Sequence, residues 1–232
     1  MKRLGVIGGM SWESTAIYYR YLNQQIKAAK GPLSSAPLLL WNMDFAPLAQ
    51  LQAEGEWDEL TELMCAAARG LKAGGAEALI IATNTMHLMA DEVQQAADLP
   101  LVHIADATAG AIRGAGVRKP LLLATRFTME KEFYRHRLEH GANCAVVVPE
   151  EPHRTSIHNV IYKELVQGEV KATSRETYLN IIGYYQREHG IDGVIFGCTE
   201  VGMLIDQSMI DVPCFDTSAI HCEAAAAAIL GH

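Results

Sequence analysis

Short aliphatic runs alternate with longer amphipathic stretches along nearly the whole chain, and this alternation limits the fold more than any other feature. Residues 4–7, 38–43, 78–81, 101–104, 121–124, 144–148, 193–196 and 212–215 read as strands. Residues 15–30, 57–73, 128–140, 174–189 and 218–230 read as helices. The strand runs are continuously apolar, the mark of strands covered on both faces. Strand followed by helix, repeatedly, implies an α/β fold with a mainly parallel sheet.

Comparing the chain with itself sharpens the expectation. Gly74-Gly-Ala-Glu-Ala-Leu-Ile-Ile-Ala-Thr-Asn-Thr-Met-His87 parallels His189-Gly-Ile-Asp-Gly-Val-Ile-Phe-Gly-Cys-Thr-Glu-Val-Gly202, which sets Thr83 opposite Cys198, 115 residues further on. The first strand and its glycine turn (4–10) parallel 121–129, and 102–108 is echoed by 214–218. Any two βαβ units share a glycine turn and an aliphatic strand, but three echoes in the same order favour a duplication. The expected architecture is two pseudo-symmetric α/β lobes. The first comprises residues 1–108 and 216–232, the second 109–215, with an active site between them. At 232 residues either lobe count gives a core that stands without disulfide or metal staples.

Composition removes several classes of function. The formal net charge is −8, and no basic run of five or more residues interrupts it. A nucleic-acid surface needs a basic face, so nucleic acid is not an expected partner. No apolar run approaches the ~20 residues of a bilayer span, so no membrane partner is expected either. The opening Met1-Lys-Arg-Leu-Gly-Val-Ile-Gly-Gly-Met10 suits a first strand better than a signal peptide, because glycines break its apolar stretch and no cleavage site follows. Cys65, Cys144, Cys198, Cys214 and Cys222 are odd in number, and no two have Cys-x-x-Cys spacing. Free thiols in a cytoplasmic protein are therefore expected.

Two kinds of segment could carry chemistry. Gly8-Gly-Met-Ser-Trp-Glu-Ser-Thr15 follows a strand and opens a helix, where backbone N–H groups can receive an anion such as a carboxylate. It lacks the third glycine of a dinucleotide turn and the lysine of a P-loop, which disfavours a nucleotide. Ser11 or Ser14 also suits a plain helix cap. The second kind is the pair of strand ends, Thr83-Asn84-Thr85 and Cys198-Thr199-Glu200. Ligands of open α/β sheets gather beyond the carboxyl ends of strands. A small molecule held between two such ends would meet Thr83 on one side and Cys198 on the other. Cysteine is the stronger acid–base group, and nearby N–H donors can lower its pKa. The other four cysteines read as small buried hydrophobes.

Leu-Gly-Val-Ile-Gly-Gly-Met (4–10), Thr-Asn-Thr-Met-His (83–87), Val-Ile-Phe-Gly-Cys-Thr-Glu (194–200) and Phe-Asp-Thr (215–217) resemble the aspartate/glutamate racemase family from end to end of the chain. The likeness is greatest to the bacterial L-aspartate/glutamate-specific, broad-specificity amino-acid racemases. The resemblance implies two α/β lobes, a homodimer, an amino-acid substrate, and catalysis without pyridoxal phosphate, metal or nucleotide. It implies that Thr83 and Cys198 exchange protons with the α-carbon. Met10, Asn84, Thr85 and Thr199 then hold the α-carboxylate and α-amine, and Gln52 and Glu200 complete the substrate surroundings.

The chain departs from that family's usual pattern. Thr83 stands where a second catalytic cysteine is usual, and a hydroxyl is a far weaker acid than a thiol. The arginine and lysine that anchor a second carboxylate in archaeal-type relatives correspond to Pro47 and Val166, with Arg126, Lys163 and Gln52 as substitutes. A one-cysteine decarboxylase or isomerase, or a non-catalytic amino-acid-binding protein, are the alternatives. His87 and His103 each have one carboxylate nearby in sequence, short of a zinc ligand set, and read as structural histidines. Glu150-Glu151 precedes a proline and reads as a loop. Glu200 either caps the helix after it or tunes the thiol.

Overall fold

The computed structural model describes residues 1–231. The chain divides into two compact units: residues 1–103 with the C-terminal stretch from His221, and residues 104–220. The changeovers therefore fall at residue 104 and within the last helix, rather than at 108/109 and 215/216.

The first unit holds β1 (Leu4–Gly8), α1 (Trp12–Lys30), β2 (Leu38–Asn42), α2 (Phe45–Glu54), α3 (Trp57–Ala73), β3 (Ala78–Ile81) and α4 (Ala90–Ala97). β1 is wholly buried and lies between β2 and β3, parallel to both, with Val6 opposite Leu40 on one side and Ile80 on the other. Parallel neighbours need long crossovers, which α1 and the α2–α3 pair supply. α1 starts at Ser11, whose hydroxyl accepts the Ser14 N–H, and buries Tyr18, Leu22 and Ile26 on one stripe. Each fully buried aliphatic side chain of this kind contributes roughly 1.5–3 kcal/mol.

The second unit holds α5 (Ile104–Ala115), β4 (Pro120–Ala124), α6 (Arg126–Glu130), α7 (Glu132–Ala142), α8 (His153–Lys163), α9 (Ala172–His189), β5 (Gly193–Gly197), α10 (Val201–Leu204) and β6 (Cys214–Asp216). α11 (Thr217–Leu230) follows β6 and closes the described chain. β4, β5 and β6 form a second parallel sheet in that order.

The two sheets repeat one plan. Leu101 bridges β3 as β6 pairs with β5, and Val147 bridges β4 as β2 pairs with β1. The displacement of 115 residues that carries Thr83 to Cys198 also carries Leu79, opposite Leu101, to Val194, opposite Cys214. The expected α/β fold with two parallel sheets is what the chain adopts. Two expected strands shrink to single bridges. Of 101–104 only Leu101 bridges, because Ile104 already starts α5, and of 144–148 only Val147 does. The helix expected over 128–140 is broken at Lys131, whose ψ of 132° separates α6 from α7.

Candidate active site

In the first unit, β1 ends in the turn Gly8-Gly9-Met10-Ser11. Gly9 has φ +89°, and a Cβ there would collide with the backbone of Met43, so only glycine lets the two segments approach. The Thr15 hydroxyl accepts the Gly9 N–H at 2.8 Å and donates to the Ser11 carbonyl at 3.0 Å. Ser14 ties the same helix start to the end of β3 by donating to the Ala82 carbonyl at 3.2 Å. Ser11 is thus a genuine helix cap, and the turn is fixed against the neighbouring strand end.

β3 ends in Thr83-Asn84-Thr85, followed by a 3₁₀ turn over Thr85–Met89. Thr83 is half-buried, while Asn84 and Thr85 are buried. Met10 is buried in the same apolar cluster as Leu48 and Met86. Gln52, on α2, is also buried, with its amide 3.7 Å from the Met86 sulfur. The first unit therefore gathers Met10, Gln52, Thr83, Asn84 and Thr85 at the carboxyl ends of β1 and β3.

Beneath Thr83 lies a cluster of buried histidines. The Thr83 carbonyl accepts from His87 Nδ1 at 2.8 Å, which fixes Nδ1 as a donor. The His87 ring lies 4.6 Å from that of His103 and 5.6 Å from that of His221. His221 Nε2 donates to the Val102 carbonyl at 2.7 Å, and Nδ1 accepts from the Tyr18 hydroxyl at 2.8 Å. Burial lowers the His221 pKa to about 4, so the ring is neutral and this tautomer is required. His87 and His221 hold backbone carbonyls; among the described residues no group of three or more His, Cys, Asp or Glu is placed to bind a metal ion.

In the second unit, β5 ends in Gly197-Cys198-Thr199-Glu200. A Cβ on Gly197 would lie 2.6 Å from Leu122 Cδ1 and 2.9 Å from Ala124 Cβ, so the strand carrying the cysteine packs against β4 as closely as glycine permits. Cys198, Thr199 and Glu200 are all buried. Glu200 makes no capping bond to α10. Its Oε2 instead accepts from the Cys198 thiol at 2.9 Å and from the Thr199 hydroxyl at 2.7 Å.

This arrangement reverses one expectation. Backbone N–H groups of Thr199 and Glu200 do favour the thiolate, but burial opposes it more strongly, and so does the Glu200 carboxylate through its charge and its acceptance of the thiol proton. The Cys198 pKa is held well above its ordinary value, and the residue rests as a thiol already hydrogen-bonded to a proton acceptor. The thiol and the carboxylate are in direct hydrogen-bond contact.

Two phenols that interact with Cys198 have no signal in the sequence. Tyr162, partly buried, and Tyr178, fully buried, are phenols with raised pKa values; burial is the main cause, and the charge of Cys198 adds to it in both. Tyr178 donates to the Ile157 carbonyl at 3.2 Å. At the end of β4, the Arg126 N–H donates to His158 Nδ1 at 3.2 Å, and its guanidinium reaches Thr155 at 3.0 Å. The His158 ring lies 4.6 Å from that of Tyr162. Lys163 closes α8.

Comparison with known proteins gives consistent matches. Residues 7–225 match the family model described as Asp/Glu/Hydantoin racemase. A Yersinia pestis chain provisionally described as an Asp/Glu racemase is 47% identical, with a TM-score of 0.91 over 99% of this chain and all of that one. An aspartate racemase homologue from Pyrococcus horikoshii OT3 is 35% identical, with a TM-score of 0.84 and the same coverage. The broad specificity amino-acid racemase RacX of Bacillus subtilis is 20% identical over 222 residues, 93% of each chain.

Proposed function

The chain belongs to the Asp/Glu/Hydantoin racemase family, and from that premise we propose that it is a cofactor-independent isomerase that interconverts L- and D-aspartate or glutamate, with Thr83 and Cys198 as its acid–base pair. The observation that carries this reading is the buried thiol donating to the Glu200 carboxylate at 2.9 Å, in the strand end that repeats the one bearing Thr83. A thiol with its proton acceptor in contact is a base in waiting. No helix among the described residues is long and apolar enough to cross a membrane.

The proton inventory closes. With L-substrate bound, Glu200 takes the Cys198 proton, and the thiolate removes the α-hydrogen as a proton. The electron pair left on the α-carbon delocalises into the α-carboxylate, which Asn84, Thr85, Thr199 and the turn at Met10 hold through N–H and O–H donors. The Thr83 hydroxyl, or a water it binds, delivers a proton to the opposite face. Glu200 then loses its proton to solvent, and Thr83 regains one. Gln52 and the Arg126 guanidinium are the candidates for the substrate's side-chain carboxylate. We further propose that the enzyme works as a cytoplasmic homodimer.

The test is α-deuteration. Incubated in D₂O with L-glutamate, L-aspartate or neutral amino acids, the protein exchanges the α-hydrogen of its substrates with solvent, read by NMR, and the D-isomer accumulates. Binding without exchange would make the chain a binding protein. Consumption without exchange into remaining substrate would favour a decarboxylase.

A further inference from the structure

The pairing of β1 with β3 ends at Ile7 and Ile81, and one further backbone bond, from Ala82 N–H to the Ile7 carbonyl at 2.9 Å, extends it. Thr83 comes next, past the end of the ladder. Its carbonyl is held by a side chain instead: His87 Nδ1 donates to it at 2.8 Å. The imidazole reaches back from the 3₁₀ turn over Thr85–Met89 and is 3% exposed. Its own surroundings are fixed. The His103 ring packs against it at 4.6 Å and the His221 ring at 5.6 Å. His221 is tied at both nitrogens, to the Val102 carbonyl and the Tyr18 hydroxyl. Val102 belongs to the segment that bridges β3, where its N–H donates to the Leu79 carbonyl at 3.0 Å. Two neighbouring strand ends thus have carbonyls taken by imidazoles that pack on one another.

A buried carbonyl needs some donor, and that need alone would explain one histidine. The internal repeat shows that more is involved. The displacement of 115 residues that carries Thr83 to Cys198 carries His87 to Gly202. In the second unit the corresponding carbonyl, that of Cys198, accepts from the Val201 backbone N–H at 3.1 Å. A Cβ on Gly202 would lie 2.8 Å from Asp216 Oδ2, so no imidazole fits at that position. The same displacement carries Thr85 to Glu200, whose carboxylate accepts the Cys198 thiol proton at 2.9 Å. The thiol half therefore has a carboxylate where the hydroxyl half has Thr85, and the hydroxyl half has an imidazole where the thiol half has glycine.

We propose that His87 is the positioning residue for Thr83: its Nδ1–H fixes the peptide that follows the threonine, and through that peptide the place of the hydroxyl that transfers the proton. The inference rests on Thr83 and Cys198 being the acid–base pair, and adds to that reading a residue that acts through another. Threonine is stiff at χ1, so its hydroxyl points where its backbone aims it. A thiol can be tuned by a neighbouring charge. A hydroxyl that rests protonated depends instead on placement, within ~2.6–3.2 Å of the atom it serves. A displacement of about 1 Å costs on the order of 10²-fold in rate. The half of the repeat with the weaker acid is the half whose strand end is clamped by a side chain.

Two variants that carry a donor in different places test it, in D₂O with L-glutamate or L-aspartate. His87→Asn sets an amide N–H near the Nδ1 position and His87→Gln sets one near the Nε2 position, while both lose the ring. With Thr83 misplaced, the carbanion formed by Cys198 takes a deuteron back from the thiol, once that thiol has exchanged with solvent, and returns to the L-form. His87→Gln therefore raises the ratio of α-deuterated L-isomer to newly formed D-isomer on the order of 10²-fold, and His87→Asn restores most of the inversion. A Gln variant that inverts like wild type, or one that loses deuteration and inversion in equal measure, overturns the positioning role. ¹⁵N shifts of the wild-type imidazole give a reading that does not depend on a variant folding. The proton is on Nδ1, and a His87 ring protonated at Nε2 alone overturns the proposal. These outcomes leave the acid–base pair standing. A wild type that neither exchanges nor inverts its substrates overturns that pair, and the inference with it.

Discussion

His221 ties the stability of the first unit to pH. Its ring is fully buried, donates from Nε2 to the Val102 carbonyl and accepts from Tyr18 at Nδ1. Protonation would place a second donor against the Tyr18 hydroxyl, which could then only turn its own proton away, and would put a charge on a fully buried ring. Burial accordingly lowers the pKa from 6.5 to about 4. The sign follows from which state takes up the proton. Above pH 6.5 both folded and unfolded chains hold the ring neutral, and the contribution to stability is fully present. As pH falls below 6.5 the unfolded chain binds a proton that the folded chain refuses, so stability is lost until the folded ring also protonates near pH 4. A depression of that size corresponds to roughly 3 kcal/mol.

The assay is urea unfolding at pH 7, 6, 5 and 4.5, for wild type and His221→Gln. His158 also has a lowered pKa, from burial and then the Arg126 charge, so the wild-type slope includes more than one histidine and the difference between proteins isolates His221. His221→Gln loses stability at pH 7 but has a shallower slope between pH 6.5 and 4.5, by up to about 1.4 kcal/mol per pH unit. The lowered carboxylates, Glu151 and Asp206, act below this window. Parallel curves for the two proteins between pH 6.5 and 4.5 would refute the argument that the buried ring stays neutral.

Three further outcomes concern the strand ends. Cys198→Ser lowers kcat by ~10²–10⁴ with substrate binding retained, measured by polarimetry or coupled assay of the D-isomer; undiminished turnover removes Cys198 from the reaction. Glu200→Gln removes a carboxylate that raises the Cys198 pKa, so the thiolate absorbance appears at lower pH even as catalysis slows; an unmoved thiol titration shows that the 2.9 Å contact is not felt. Thr83→Cys raises kcat from D-glutamate or D-aspartate more than from the L-isomers, and a folded variant that gains nothing on the D-side places the proton relay elsewhere.

The sequence announced the strand ends more clearly than it announced some of the strands. Continuous apolar runs marked β1, β3, β4 and β5, because burial on both faces leaves little room for polar residues. The same signal misled at 101–104 and 144–148, where the apolar residues pack against core but only Leu101 and Val147 reach a neighbouring strand. α8 was not read at all: it buries only Ile157 and Ile161, too little for a visible stripe. Thr83, Asn84, Cys198 and Glu200 could be found because the repeat aligns them. Tyr162, and the Tyr18–His221 pair that lies 203 residues apart, could not, since their roles come from tertiary neighbours with no fixed spacing.

The repeat also shows where the two halves have diverged. Moving 115 residues along carries Ala82 to Gly197, Thr83 to Cys198, Asn84 to Thr199 and Thr85 to Glu200. One strand end thus offers a thiol with a carboxylate acceptor 2.9 Å away, and the other a hydroxyl followed by an amide and a second hydroxyl. On the proposed reaction, L-substrate meets the thiol–carboxylate unit as base and the hydroxyl as proton donor, while D-substrate needs the hydroxyl to act as base. Free amino-acid enantiomers in water have an equilibrium constant of one, so kcat/KM must be equal in the two directions whatever the residues. Unequal bases therefore cannot make the enzyme one-way. They separate kcat from KM between the directions, and they determine which protonation state the enzyme is left in after a turnover. From the L-side the thiol ends protonated, which is its resting state here; from the D-side it ends deprotonated beside Glu200, in a buried site that disfavours the thiolate. The slow step from D-substrate is thus expected to include proton return to Cys198 as well as proton removal by Thr83, and a solvent isotope effect larger on the D-side than on the L-side would be its signature.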